Sequence, residues 1–187
     1  MQKSIEGAVV NGIDVGALHE FVGQVEANPT SGAITFDAVT TWEGGARTRT
    51  ETSIVLGDKL LPRNFVINAD EPQELLGTNS AANPQELILA ALNACVTATY
   101  AANAAAMGIE LKSLVIRSKG NLDLRGFLGI DSKVNPGYDQ VEYEVEIESS
   151  ASSEALNQLH SKVQEVSPNH QNFARAINLK TQLIIRN

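Results

Sequence analysis

The stretch Asn83-Pro84-Gln85-Glu86-Leu87, running on through Ala90-Ala91-Leu92-Asn93-Ala94-Cys95 to Gly108, decides how the chain is read. Asn83 suits a helix N-cap, because its side-chain oxygen accepts from the first free amides. Pro84 follows at the first helical position, where its missing N–H loses no bond, and Glu86 at the third position completes a capping box. Gly108 supplies the C-terminal stop. These signals predict one long helix. From Leu87 to Ile109 it carries no charged residue, but alanine dominates, and Asn93, Thr97, Thr99 and Asn103 interrupt it. A bilayer span needs about 20 predominantly apolar residues. The reading is therefore a helix buried inside a soluble protein and clasped closely from several sides.

On the N-terminal side, Asp14 is placed to cap a helix whose apolar residues Leu18, Phe21, Val22 and Val25 recur at helical spacing, which predicts a packing helix. Ala33 to Trp42 and Arg47 to Leu56 then read as a hairpin about Gly44-Gly45, and Phe65-Val66-Ile67 as a further strand. On the C-terminal side, Leu111 to Arg117 reads as a strand. Val141, Tyr143, Val145 and Ile147 alternate with Glu142, Glu144, Glu146 and Glu148, which predicts a half-buried strand with one acidic face. Leu156, Leu159, Val163 and Val166 form the stripe of a second helix. Ser167-Pro168 opens a short one, and Ile177 to Arg186 reads as a closing strand. Strands, helix, strands, helix, strand, without regular βαβ alternation, favour an α+β fold with mainly antiparallel sheet. The segment from Lys119 to Gln140 reads as loop, with an apolar patch, Phe127-Leu128 and Ile130, suited to cover something.

Composition narrows the function. The chain has 187 residues, 43% of them hydrophobic, enough for one domain with a real core. It carries 14 Lys and Arg against 22 Asp and Glu, a net charge of -8, with no basic cluster to neutralise phosphates, which disfavours nucleic acid. Met1 to Gly12 lacks the apolar core of a signal peptide, so a cytoplasmic, reducing location and no membrane association are expected. One cysteine, Cys95, makes no internal disulfide, and with His19, His160 and His170 scattered no zinc spacing exists. No metal and no cofactor are expected.

Two readings of Cys95 stand open at this point: a small apolar core residue, or a functional thiol. A functional thiol needs about 2 kcal/mol or more to become a thiolate below neutrality, and one guanidinium at about 4 Å supplies roughly 4 kcal/mol before desolvation. Arg47 and Arg49 are the candidates. They share strand parity, and Glu51 continues the row, so a solvated cross-strand charge pair is the alternative. His170 could polarise a thiol or sit as a surface or capping histidine. A hydrolase-like use of Ser167 with His170 is disfavoured, since Ser-Pro at a helix start is a common N-cap and no positioned acid is identifiable.

The segment Gly77-Thr78-Asn79 through Asn83-Pro84-Gln85-Glu86-Leu87 to Cys95 resembles the signature of the OsmC/Ohr family, the osmotically inducible and organic hydroperoxide resistance proteins. Trp42-Glu43-Gly44-Gly45 before an arginine, Gly108-Ile109 before a strand, and Val166-Ser167-Pro168 fit the same pattern. The resemblance covers residues 38–187 as an OsmC-like domain and leaves 1–37 as a leader. It implies an intertwined α+β homodimer, with antiparallel sheets packed on two central helices and active sites at the subunit interface. It implies that Cys95 is the peroxidatic residue and Arg47 the better match for the family's arginine, with Arg49 in reserve. Two positions depart from the pattern. Ser167 stands where the resolving cysteine would be, so no intramolecular disulfide can form, and the family's glutamate falls on Gln85, with Glu86 beside it. Along one straight helix Gln85 and Cys95 lie about 15 Å apart, so a contact between them should come from the partner subunit. The expected function is a one-cysteine peroxidase acting on organic hydroperoxides in oxidative stress defence, recycled by an external thiol. The alternative is a non-catalytic protein holding a small apolar ligand at the dimer interface.

Overall fold

The computed structural model describes residues 7–186. The first six residues, part of the segment read for a signal peptide, and Asn187 lie outside the described residues. In chain order the elements are β1 (Val9–Val10), β2 (Ile13–Asp14), α1 (Val15–Ala27), β3 (Ile34–Trp42), β4 (Thr48–Leu56), β5 (Lys59–Leu60), β6 (Phe65–Ala69), α2 (Pro84–Ala106), β7 (Leu111–Gly120), α3 (Leu124–Phe127), β8 (Val141–Ser149), α4 (Ser153–Val166) and α5 (Pro168–Ala174). This is the expected α+β fold, and every strand pair is antiparallel. The chain divides into two compact units, Met1–Ala90 and Ala91–Asn187.

The first unit is built on β4, which pairs with β3 along one edge and with β5 and β6 along the other. The β3–β4 register sets Thr41 against Arg49 and Thr40 against Thr50, whose hydroxyls lie 2.8 Å apart. The turn uses Gly44 and Gly45, both at positive φ, and the Trp42 indole donates to the Gly45 carbonyl at 2.9 Å. Phe36, Val39, Trp42, Phe65 and Ile67 of this sheet are exposed. Helix α1 is capped as expected, by Asp14 accepting from the Ala17 amide at 3.0 Å. Of its apolar stripe, Leu18 and Val25 are half-buried and Phe21 and Val22 are exposed, while Val15 at its start is buried.

The loop from β6 to α2 is organised by Asp70, which is fully buried. Its carboxylate accepts from the amides of Glu71, Thr78 and Ser80 at 2.9, 3.1 and 3.0 Å and from the hydroxyls of Thr78 and Ser80 at 2.5 and 2.8 Å. These bonds, the Thr78 hydroxyl first, hold the Asp70 carboxyl well below the usual carboxylate range. Gly77 is required here, since a Cβ would lie 1.8 Å from the Glu71 carbonyl oxygen.

Helix α2 carries both predicted terminal signals. The Asn83 amide donates to Glu86 and the Glu86 amide to the Asn83 side chain, each at 2.8 Å, closing the capping box. At the other end Gly108, at φ 68°, and Ile109 donate back to Ala105 and Ala104, the paired bonds of a Schellman stop. In the second unit Leu92, Val96, Tyr100 and Ala104 recur every four residues on α2. They are buried against Leu159 and Val163 of α4, with the inward residues of the β7–β8 hairpin packed on them. Burial of each such aliphatic side chain contributes about 1.5–3 kcal/mol.

Three expectations are corrected here. Helix α2 is not clasped from several sides: beyond this stripe and Ala105 it has no fully buried residue, and Ala90, Ala94 and Ala98 are exposed. In length and composition α2 could cross a membrane, but the stripe that packs is that of a core helix. Ile177 to Arg186 forms no strand, because no neighbouring strand offers it a ladder, and Leu179, Leu183 and Ile185 are exposed. The patch Phe127, Leu128 and Ile130 is exposed and covers nothing among the described residues. The acidic face of β8 matches expectation, with Glu146 paired to Arg117 at 2.7 Å and Glu148 to Lys112 at 3.6 Å.

Candidate functional site

Cys95 sits in the middle of α2, half-buried. Its sulfur accepts from the backbone amide of Asn169 at 3.4 Å and lies 3.8 Å from the Ser167 hydroxyl. Ser167 is fully buried and occupies the N-cap position of α5, yet its side chain makes no capping bond. This corrects the expectation that Ser-Pro serves as an ordinary cap. The hydroxyl faces the thiol, and it has no other hydrogen-bond partner among the described residues. The amide at the second position of α5, which a cap oxygen normally satisfies, is satisfied by sulfur from another helix. Asn169 ties the two helices together through its side chain, donating to the Ala91 carbonyl one turn before Cys95 at 2.8 Å. On α2 the Asn93 side-chain oxygen is buried with no hydrogen-bond partner among the described residues.

His170, the next residue of α5, does not join the thiol by hydrogen bond. Its Nδ1 lies 2.7 Å from the Tyr143 hydroxyl, with the rings edge to face. Burial raises the Tyr143 hydroxyl above its usual range, opposed by a hydrogen bond with Gln164. Ser167 and His170 are thus engaged with different partners, and the Ser–His pairing of a hydrolase does not form. A cavity of about 170 Å³ opens here, lined by Leu92, Val141, Tyr143, His170, Phe173 and Ala174. Deeper in the core, the Tyr100 hydroxyl bonds the His160 Nδ1. Burial, then the nearby Tyr143, pushes the Tyr100 hydroxyl up to about 12.

The other candidates lie in the first unit. Arg49 pairs with Glu51 along the same strand, in place of the cross-strand pair expected as the alternative to a role at the thiol. Arg47 donates to the Glu43 carbonyl at 3.2 Å. Gln85 is exposed in the first turn of α2, and Glu86 is committed to the capping box. The structure therefore brings Ser167 to Cys95, while both arginines find their partners on their own hairpin. Among the described residues, no group of three His, Cys, Asp or Glu side chains is placed to hold a metal ion.

Sequence reasoning missed Asn169 and Tyr143. Tyr143 had a visible signal, since its parity on β8 turns it inward. Asn169 had only its position two residues after the Ser167 cap, where an amide needs an acceptor.

A family model described as OsmC-like protein matches residues 77–182. A search of functionally curated proteins finds no match. Among solved structures, an OsmC-like protein from Mycoplasma pneumoniae aligns at TM-score 0.54 and 19% identity, covering 76% of this chain and 87% of that one. An OsmC-like protein of unknown function from Vibrio cholerae aligns at TM-score 0.52 and 17% identity, covering 73% and 92%. A protein described as an organic hydroperoxide resistance protein, from Legionella pneumophila, aligns at TM-score 0.49 and 22% identity, covering 73% and 87%.

Proposed function

The chain belongs to the OsmC-like protein family, and from that premise we propose that it is a thiol-dependent redox protein, a one-cysteine peroxidase that reduces organic hydroperoxides through Cys95. The observation that carries this reading is the half-buried sulfur that accepts from the Asn169 amide at 3.4 Å, with the Ser167 hydroxyl 3.8 Å away. The amide stabilises negative charge on sulfur, and toward a thiolate the neighbouring hydroxyl does so as well. The thiolate attacks one peroxide oxygen; an S–O bond forms, the O–O bond breaks, and the alkoxide leaves as an alcohol after taking a proton. Sulfur loses two electrons and becomes a sulfenic acid. A low-molecular-weight thiol then attacks sulfur, releasing water and leaving a mixed disulfide, and a second thiol frees Cys95. No resolving cysteine is needed, which suits a chain with Ser167 at that position.

The working form in this reading is a homodimer in the cytoplasm, where small thiols are abundant. Exposed Phe36, Trp42 and Phe65 on the first unit, and exposed Ala90, Ala94 and Ala98 on α2, support a partner surface. Arg47, with Arg49 in reserve, and the Gln85–Glu86 turn are the groups that the partner subunit would bring to each thiol. The expected result is that hydroperoxide consumption with a thiol reductant is lost in Cys95→Ser; consumption unchanged in that variant would sink the reading.

A second reading, a non-catalytic protein that binds a small apolar molecule, is favoured by the cavity between Leu92, Phe173 and the Tyr143–His170 pair. It predicts an inert Cys95 under stoichiometric hydroperoxide, together with ligand affinity that a bulky Ala174→Phe replacement removes.

A further inference from the structure

Ser167 presents a physical anomaly. A serine before proline at a helix start ordinarily spends its oxygen on the helix amides, and here it does not. Its side chain is fully buried, where a hydroxyl without a strong partner is costly. The atom it faces is the Cys95 sulfur, at 3.8 Å, a weak contact for a neutral thiol. An oxygen bonded to that sulfur on the Ser167 side would lie closer to the hydroxyl than the sulfur does, and it would be a stronger acceptor. We propose that Ser167 is a catalytic residue whose hydroxyl donates to the oxygen of oxidised Cys95. The sulfenic acid therefore persists until a small thiol arrives. The Asn169 amide, at 3.4 Å from the same sulfur, fixes the sulfur's position while the oxygen turns toward Ser167.

This inference rests on the peroxidase reading, and it makes Ser167 the source of a distinct chemistry. In the step concerned, the nucleophilic thiol takes sulfur, the S–O bond breaks, and the departing oxygen leaves as water with the proton of the thiol and the proton of the sulfenic acid. Ser167 gives up no atom and keeps its own proton.

The experiment treats the full-length protein with one equivalent of cumene hydroperoxide, waits a variable delay, and traps the remaining sulfenic acid with a dimedone-type probe read by intact mass. In Ser167→Ala the sulfenic acid is expected to decay about fivefold faster, the equivalent of one hydrogen bond of about 1 kcal/mol. Ser167→Thr, which keeps the hydroxyl, is expected to restore the lifetime, an outcome that a purely structural role for Ser167 does not produce. Ser167→Cys is expected to close a disulfide with Cys95 under the same treatment, seen as a mass two hydrogens lower. Equal lifetimes in the parent and Ser167→Ala overturn the inference and leave the peroxidase reading standing. Failure of Ser167→Cys to form the disulfide overturns it as well, since position 167 then does not reach the oxidised sulfur. If the parent protein yields no trapped sulfenic acid at any delay, the peroxidase reading fails first and takes this one with it.

Discussion

The two units of this chain treat apolar residues in opposite ways. In the second, Leu92, Val96, Tyr100 and Ala104 meet Leu159 and Val163, and the stripe is sealed. In the first, Phe36, Val39, Trp42, Phe65 and Ile67 lie on strands that pair edge to edge, yet their side chains face solvent, Trp42 at 72% exposure. Backbone pairing and side-chain burial are separate achievements: a ladder satisfies amides and carbonyls, while only a second layer removes apolar area from water. The second unit supplies that layer from its own helices. The first carries a buried polar clamp at Asp70 where the other has an apolar core.

The contrast is broken most strongly by Leu159→Ala. Removing a fully buried side chain from the sealed stripe should cost about 3 kcal/mol, measured by urea unfolding. The next effect falls on the polar clamp. Asp70→Ala strands five donors and should lower the melting temperature by about 6 °C, read by scanning calorimetry. The clamp also has a pH signature. Because the folded carboxyl titrates below its unfolded value, its contribution is complete above the ordinary carboxylate range of about 4 and is lost as pH falls through the folded value. Acid unfolding of Asp70→Asn should therefore show a shallower loss of stability below about pH 4 than the parent.

A third test addresses the open sheet. If Trp42 and its neighbours are covered in a homodimer, Trp42→Ser should weaken association by about tenfold or more, measured by sedimentation, while leaving the core helices folded. A parent protein that sediments as a monomer would remove the proposed partner surface. The smallest effect belongs to the acidic face of β8. Glu146→Gln breaks the exposed pair with Arg117 and should change stability by no more than about 0.5 kcal/mol, by the same urea assay.

What was legible in the sequence divides along a similar line. Both ends of α2, the hairpin about Gly44-Gly45 and the alternation of β8 follow from residues within a few positions of one another, and the structure keeps them. Ile177 to Arg186 has the alternation of a strand, but a strand exists only beside another, and nothing in its own residues names the neighbour. The stripe of α1 gave a correct helix, but nothing in it names what would cover Phe21 and Val22, which stay exposed. At the site, Cys95 and Ser167 stand 72 positions apart, and their meeting depends on how α5 returns to α2. No local pattern records that, and the resemblance to a known signature identified the two positions without giving their geometry.

Sulfur from α2 serving as the acceptor for the first turn of α5 has a practical consequence. The Asn169 amide is a built-in, label-free reporter of the thiol's chemical state. Alkylating or oxidising Cys95 alters the acceptor of that one amide, so its nitrogen-bound proton frequency registers each chemical form without a probe attached to the cysteine. A spectroscopist following that single resonance would watch the reaction cycle from the backbone.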